Sequence, residues 1–264
     1  MALDYVFTAH NIRLADGTQT HPASPNMDQY GRYKAAKRAL NVIYNGDLEG
    51  RTIADVGCLE GGYTTEFARL GMEATGIEVR DSNFRNCLLV KSRTSLPNLH
   101  FLQRDALEIG QCGDYDGLFV CGLLYHLDKP RKFLEDAAKV CKKFIIIDTH
   151  VAPRMHEPAV DIFRLSDTST NEGLKGRWFT EFDAAATAVD RDNMKWSSFA
   201  NNASFWIEKT ALLQTMSELG FDMVFEQFDC EDDIETQFTR GDRYNHSRVF
   251  LVGVKTGVSI ARAQ

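Results

Sequence analysis

The chain has 264 residues, 44% of them hydrophobic and 25% charged, which is long enough and apolar enough to bury the core of one globular domain with additions. Its formal net charge of −7 would repel nucleic acid and acidic membranes, so bulk charge disfavours both as partners, although a local basic patch could override it. No apolar run approaches the ~20 residues of a membrane-spanning helix, and no signal peptide is evident at the start. The six cysteines form no Cys-x-x-Cys pair, which is typical of free thiols. We therefore expect a cytoplasmic protein.

Residues 1–46 are predicted to be an extension ahead of the first buried strand. Within it, Asp16-Gly17 indicates a tight turn between two short strands. Apolar residues then recur at helical spacing over residues 27–44, and Asn26 is a plausible cap for that helix. Two interpretations of the helix stay open, one in which it lies across a ligand site and one in which it only packs.

The most informative stretch of the chain is residues 52–63. It predicts a short buried strand, a tight loop containing Gly57 and Gly61, and a helix that begins near Tyr63. Such a unit presents backbone N–H groups and a positive helix end to a ligand above the strand. Asp55, at the end of the strand, would repel a phosphate. A site that combines a glycine loop with an acid suits a ligand that is cationic and rich in hydroxyl groups.

The run from Asp55 to Gly61 resembles motif I of the class I S-adenosylmethionine-dependent methyltransferases, an acid followed by three glycines at alternate positions. The first and last glycines match, whereas Leu59 replaces the middle one, and we expect it to be tolerated with an ordinary φ. The resemblance implies an α/β Rossmann-like fold with a seven-stranded sheet in the order 3-2-1-4-5-7-6, strand 7 being antiparallel. It also implies S-adenosyl-L-methionine as the cofactor.

Two further acids follow strands of this predicted sheet. Glu78 ends the second strand, where an acid binds the ribose hydroxyls of a nucleoside. Asp105 and Ala106 follow the third strand and resemble the adenine-binding turn of the family. With these, the predicted cofactor-binding residues are Asp55, Gly57, Cys58, Gly61, Glu78, Asp105, Ala106 and Cys121.

A continuous apolar run at residues 115–122 predicts a fourth strand buried on both faces, opening into Tyr125-His126 on the methyl-donor side of the fold. His126 is the leading candidate for a general base, and His150, after the fifth strand, is the second. Tyr125 could contact the donor through its ring face or the acceptor through its hydroxyl. These three residues are the predicted catalytic group, although packing roles for them stay open.

Residues 149–205 are too long for a simple connection, and Trp178, Trp196 and Trp206 lie in or beside them. We expect a substrate-covering insertion; a small satellite core is the alternative. A helix beginning at Ser204 or Glu208 and two strands, at 221–228 and 248–254, resemble the carboxyl-terminal part of the family.

Several alternatives remain open from the sequence. A metal-assisted reaction would use residues that are clustered in sequence, namely Asp148, His150, His156, Glu157 and Asp161, but their spacing matches no known ligand signature, so no metal is predicted. Residues 12–17 with 124–126 resemble the tRNA wobble-uridine carboxymethyltransferase branch. A nicotinamide oxidoreductase and a non-catalytic nucleoside-binding module are the other rivals.

The sequence therefore predicts a methyltransferase that modifies a small-molecule acceptor, with a hydroxyl oxygen as the expected methyl acceptor. Nucleic acid is an unlikely partner on charge grounds, no membrane partner is expected, and a homodimer is left open.

Overall fold

The computed structural model of the chain describes residues 5–153, 163–183, 185–227 and 247–257. Its strands are β1 Thr52–Val56, β2 Glu73–Glu78, β3 Leu99–Gln103, β4 Tyr115–Cys121, β5 Cys141–His150, β6 Ser169–Asn171, β7 Leu174–Thr180, β8 Ala203–Ile207, β9 Met223–Glu226 and β10 Arg248–Val254. Its α-helices are α1 Gly31–Tyr44, α2 Gly62–Arg69, α3 Asp81–Thr94, α4 Pro130–Val140, α5 Ala188–Asn193 and α6 Lys209–Glu218. Short 3-10 helices span Met27–Gln29, Ala106–Gln111 and Leu124–His126.

Seven strands form the central sheet in the order β3-β2-β1-β4-β5-β10-β9. β10 is antiparallel to both of its neighbours, while the pairs from β3 to β5 are parallel. The predicted order and the antiparallel last strand are thereby confirmed. Because the carboxyl ends of β1, β2, β3, β4 and β5 meet at one edge, residues that follow these strands come together there.

Apolar cores lie on both faces of this sheet because successive strand residues point to opposite sides. In β1, Ile53 belongs to the core shared with α1 and α2, whereas Ala54 and Val56 belong to the core shared with α4 and α6. The long apolar runs of the sequence therefore correspond to strands that helices cover on both faces of the sheet.

The amino-terminal region differs from its prediction in two ways. The expected pair of short strands is an isolated antiparallel bridge between Arg13 and Gln19, with a turn between them. Met27–Gln29 is a separate 3-10 turn, and the α-helix begins only at Gly31. Asn26 makes no side-chain cap; its oxygen accepts a hydrogen bond from the Asn11 amide instead. Contacts with distant residues thus override the local helix signal.

The insertion contributes a second, antiparallel sheet of three strands in the order β6-β7-β8. Its last strand continues to Ile207, just beyond the predicted boundary at residue 205. Ser204 therefore lies in a strand, and the following helix begins at Lys209 with Glu208 as its N-cap. Within the described ranges, no helix has both the length and the apolarity needed to cross a membrane.

Candidate active site

A cavity of about 910 Å³ opens at the carboxyl edge of the central sheet. One part of its wall consists of the glycine loop and residues that follow β2 and β3. The opposite part consists of residues that follow β4 and β5, together with side chains from the insertion and from β10. A volume at the upper end of that of ordinary ligand pockets leaves space for a nucleoside-sized cofactor and a second small molecule.

The glycine loop is held to β2 by backbone hydrogen bonds, in which Gly57 and Cys58 both donate to the Ile77 carbonyl at 2.9 and 3.0 Å. Gly57 has φ 75° and lines the cavity, where an added Cβ would lie 3.1 Å from Leu123. Leu59 has φ 53°, so the expectation of an ordinary φ was wrong. The loop requires a left-handed residue at this position, which explains why the related motif has glycine there.

Glu78 combines a place on the cavity wall with a structural role in the loop. Its carboxylate accepts hydrogen bonds from the Leu59 N–H at 3.0 Å and from the Arg80 N–H at 2.7 Å. Burial raises the pKa of this carboxyl, although the two N–H groups and the Arg80 charge oppose that rise. The left-handed turn at Leu59 directs its N–H toward Glu78, so loop shape and acid position depend on each other.

Asp55 is buried at the end of β1 and also lines the cavity. Burial raises its pKa to about 7, and the nearby Glu78 adds to the rise, whereas a 2.7 Å hydrogen bond donated by the Thr64 hydroxyl opposes it. A carboxyl with such a pKa changes charge near neutrality and would be held in its ionised form by a cation placed beside it.

Asp105 and Ala106 stand on the same wall after β3. The Asp105 carboxylate caps the short 3-10 helix by accepting from the Leu107 N–H at 2.9 Å. Beside them, both amide atoms of Asn83 are buried and have no partner at hydrogen-bond distance among the described residues, although the amide lies near enough to Glu78 to lower the pKa of that carboxyl. Buried amide atoms are normally paired, so this side chain fits a polar ligand in the cavity.

The amino-terminal segment is fastened across the glycine loop by Glu60, which is completely buried. Its carboxylate accepts hydrogen bonds from the backbone N–H groups of Thr8, Ala9 and His10 at 2.8, 3.1 and 2.9 Å. The His10 ring in turn accepts from the Gly62 N–H, and burial lowers its pKa to about 4. Sequence patterns gave no sign of this attachment because it joins residues about 50 positions apart.

Charged residues from three distant segments meet at the far end of the cavity. Asp148, buried at the end of β5, accepts from Arg32 Nε at 2.9 Å and from Arg248 Nη2 at 2.6 Å. Burial alone would raise the pKa of Asp148, but the two guanidinium groups outweigh it and lower that pKa to about 2. Cys121, predicted to contact the cofactor, lines the cavity and donates its thiol to the same carboxylate.

An aromatic cluster surrounds His150 beside this ion pair. The imidazole stacks on Trp206 with ring centroids 4.8 Å apart and meets Tyr125 edge-on at 4.7 Å. Burial, assisted by the Arg248 charge, lowers the pKa of His150 to about 3, so the ring is neutral at pH 7. The Arg248 guanidinium lies over the Tyr125 ring, 5.5 Å from its centroid, so one face of this ring already has a cation beside it.

His126 is held by a buried acid from the insertion. Its Nδ1 lies 2.7 Å from Glu181 Oε1, and the Glu181 side chain is 1% exposed. A carboxylate oxygen that accepts a hydrogen bond from this nitrogen pairs with the Nδ1–H form of the imidazole. Nε2 makes no hydrogen bond to the described residues, and the ring lines the cavity. No sequence signal pointed to Glu181, because 55 residues separate it from its partner.

Arg80 attaches the insertion to the part of the cavity wall that follows β2. Its guanidinium donates to the backbone carbonyls of Arg191, Ser197 and Ser198 at 2.7, 2.8 and 2.8 Å. These bonds place residues 194–201 on the cavity wall, with Trp196 and Phe199 among them. The insertion thus contributes to the wall at both ends of the cavity.

Most of the residues proposed from the sequence line this single cavity, namely Asp55, Gly57, Cys58, Glu78, Asp105, Ala106, Cys121, Tyr125, His126 and His150. Gly61 does not; its φ of 79° and the Phe101 ring, 2.6 Å from where its Cβ would stand, give it a role in shaping the loop. Three residues of the metal alternative, His156, Glu157 and Asp161, lie outside the described residues.

The strand order and the glycine loop give the chain the fold of the class I S-adenosylmethionine-dependent methyltransferases. In agreement, residues 54–145 match the family described as "Methyltransferase domain". The match covers β1 to β5, which contain the glycine loop, Glu78 and Asp105. The further likeness to the tRNA wobble-uridine branch stays an interpretation of short segments.

Similar proteins support the same class. A ubiquinone biosynthesis O-methyltransferase of Albidiferax ferrireducens is 30% identical over 97 residues, which are 36% of this chain and 38% of that protein. The chain thus spans well under half the length of this curated relative. The N-terminal domain of EvdMO1, solved in the presence of SAH and D-fucose, has a TM-score of 0.63 at 21% identity, covering 90% of this chain and 88% of that one. Magnesium protoporphyrin IX methyltransferase from Synechocystis PCC 6803, solved with SAH, gives 0.51 at 14% identity, covering 86% and 84%.

Proposed function

We propose that the protein transfers a methyl group from S-adenosyl-L-methionine to a hydroxyl oxygen of a small molecule. One observation carries this proposal: a single cavity is lined by the acids and the glycine loop at one end and, at the other, by His126, whose Nε2 makes no hydrogen bond to the described residues. A hydroxyl acceptor needs a group that takes its proton, and an imidazole is suited to that task near neutral pH.

The cofactor would be held by the carboxyl edge of β1, β2 and β3. In this proposal Glu78 binds the ribose hydroxyls, Asp105 and the Ala106 N–H bind the base, and Gly57 allows close approach. Asp55 would face the positive part of the donor, in keeping with a pKa of about 7 that a cation would lower. The unpaired amide of Asn83 supplies a further polar contact on that wall.

The chemistry then needs little from the protein beyond alignment and one proton transfer. When bound, S-adenosylmethionine supplies an electrophilic methyl group. The chain excludes water through the aromatic insertion and fixes the acceptor beside the donor. His126 Nε2 takes the proton of the acceptor hydroxyl, and Glu181 stabilises the resulting imidazolium. His150, with its pKa lowered to about 3, is the weaker base of the two, and we propose that it shapes the acceptor pocket.

The acceptor class is argued from the wall of the cavity. Tyr125, His150, Phe163, Phe179 and Trp206 form an apolar, ring-lined chamber. Such a wall binds flat rings by stacking or sugar rings by C–H contacts. The names of the relatives point the same way, since one is a ubiquinone O-methyltransferase and another was solved with D-fucose. We propose a cyclic, hydroxylated small molecule as the acceptor.

The test begins with binding and proceeds to turnover. Calorimetry with S-adenosylhomocysteine and with NAD should show binding of the first alone; the reverse would favour an oxidoreductase. Methyl transfer from radiolabelled S-adenosylmethionine is then measured against phenols, sugars, amines, thiols and bulk tRNA. Transfer to phenols or sugars is expected. Transfer only to tRNA, or cofactor binding without transfer to any fraction of a cell extract, would reject the proposed acceptor.

A further inference from the structure

Glu181 occupies an unusual position for an acid of a surface insertion. Its side chain is almost completely buried at the end of β7 and accepts three hydrogen bonds. Oε1 lies 2.7 Å from His126 Nδ1 and accepts from the Ser204 hydroxyl at 2.8 Å, and Oε2 accepts from the Ser198 N–H at 3.1 Å. Burying a carboxylate is costly, so three converging donors indicate a group with a specific task.

We propose that Glu181 is a positioning residue that fixes His126 as the Nδ1–H tautomer and couples this arrangement to the insertion. This inference rests on the proposed function, in which Nε2 takes a proton. The carboxylate keeps the proton on Nδ1, so the lone pair of Nε2 lies on the opposite side of the ring from Glu181, and His126 is one of the residues that line the cavity. The cationic ring that forms during the reaction remains paired with the carboxylate.

The same carboxylate makes this arrangement depend on the position of residues 194–201. Ser198, which donates its N–H to Glu181, belongs to the segment whose carbonyls are held by Arg80. A second support comes from Asn201, whose amide donates to the His126 carbonyl at 3.1 Å. When residues 194–201 line the cavity, Glu181 and His126 are therefore both held. Displacement of that segment would remove a donor from Glu181 and a restraint from His126.

The tautomer can be measured without any acceptor. In protein labelled with ¹⁵N-histidine, the His126 signals, assigned by their loss in His126→Gln, should show a protonated Nδ1 and an unprotonated Nε2. In Glu181→Gln, the side-chain amide has two possible orientations. If its oxygen faces His126, its NH₂ group faces the Ser198 N–H, so two donors oppose each other. In the reverse orientation the NH₂ group faces Nδ1, which must then be unprotonated to accept a hydrogen bond. We expect the Nε2–H tautomer to appear. Unchanged signals in this variant would overturn the proposal.

Kinetics provide the second readout. Glu181→Gln should lower kcat by about 10- to 100-fold while the Kd of S-adenosylhomocysteine changes by less than about twofold. Glu181→Asp, which keeps the charge, should recover most of that loss. The double variant Glu181→Gln/His126→Gln should be no slower than His126→Gln alone, because the acid acts through the imidazole. Additive losses, or a loss of cofactor binding equal to the loss of turnover, would show a structural role only.

A matched control separates the dyad from the loss of a negative charge on the insertion. Glu172→Gln makes the same substitution at an exposed acid of the insertion that does not line the cavity, so kcat should change by less than about twofold. If the wild-type protein methylates no hydroxylated acceptor, the proposed function fails, whereas the tautomer measurement still decides the role of Glu181. If Glu181→Gln does not fold, the tautomer and kcat of Glu181→Asp decide it: a wild-type tautomer with more than about tenfold loss of kcat would contradict the proposal.

Discussion

The two ends of the cavity are built in different ways. The end proposed to bind the cofactor, called the cofactor end, consists of residues between 55 and 106 that follow three successive strands, and many of its hydrogen bonds are made by the backbone. The end proposed to bind the acceptor, called the acceptor end, consists of side chains from residue 32 to residue 248, joined by ion pairs and stacked rings. The first end is locally encoded and its chemistry is set by strand order. The second end is assembled from distant segments, so proteins of the same fold can differ here and bind different substrates.

The largest expected effect tests the division of labour between the two ends. His126→Gln should reduce kcat by about 10²–10³-fold, because the hydroxyl proton then has no base, and leave S-adenosylhomocysteine binding unchanged. His100→Gln, at an exposed histidine of β3, is the control. A His126 variant with wild-type turnover would reduce this residue to a packing role and remove the base from the acceptor end.

The reciprocal experiment is at the cofactor end. Glu78→Ala should weaken S-adenosylhomocysteine binding by about 10- to 100-fold, since it removes both the proposed ribose contact and the acceptor of two backbone N–H groups. Glu73→Ala, at the exposed start of the same strand, should bind normally. Affinity measured by calorimetry that is unchanged in the Glu78 variant would refute the ribose role.

The amino-terminal attachment can be separated from both ends. Glu60→Gln replaces one carboxylate oxygen with NH₂, so N–H donors of Thr8, Ala9 and His10 can no longer all be satisfied. We expect a loss of about 2 kcal/mol in the free energy of unfolding in urea. Asp47→Asn, at an exposed ion pair with Arg51, should change it by less than about 0.5 kcal/mol. Equal stability of the two variants would contradict the attachment.

Asp55 predicts a pH dependence that belongs to the cofactor end. Its folded pKa, about 7, lies above the ordinary 3.8, so its contribution to stability is complete below about pH 4 and is lost as pH rises through 7. Between pH 5 and pH 6, the wild type should lose about 1 kcal/mol relative to Asp55→Asn, which carries no ionisable group there. Parallel stability curves for the two proteins would show that Asp55 is ionised in the fold.

The smallest effect is expected at Leu59. Its φ of 53° costs about 1 kcal/mol in a non-glycine residue, whereas glycine gains freedom in the unfolded chain. The two terms nearly cancel, so Leu59→Gly should change stability by less than about 0.5 kcal/mol and keep S-adenosylhomocysteine affinity within about twofold. Leu59→Val, which introduces a β-branched side chain at a left-handed position, should be clearly less stable. A stable valine variant would show that the loop does not require this conformation.

Patterns of neighbouring residues were enough to predict the central sheet and the residues of the cofactor end. Apolar runs of five to seven residues specify strands covered on both faces, and the acid-and-glycine spacing from Asp55 to Gly61 specifies a turn that the backbone must make wherever it folds. Glu78 and Asp105 could be placed because strand ends share one edge of a parallel sheet. These features depend on local backbone conformation, which neighbouring residues determine.

The acceptor end, and the attachment of the insertion and of the amino-terminal segment beside the cavity, depend on contacts between residues far apart in the chain. The bonds from Glu181 to His126, from Asp148 to Arg32 and Arg248, and from Glu60 to residues 8–10 join positions 50 to 116 residues apart. The hydrophobic periodicity of the sequence does not predict such pairs, because each partner on its own has the pattern of an ordinary polar residue. Their pairing follows from burial: once the chain has closed over these charges, only a partner of opposite sign or a hydrogen-bond donor makes the position stable.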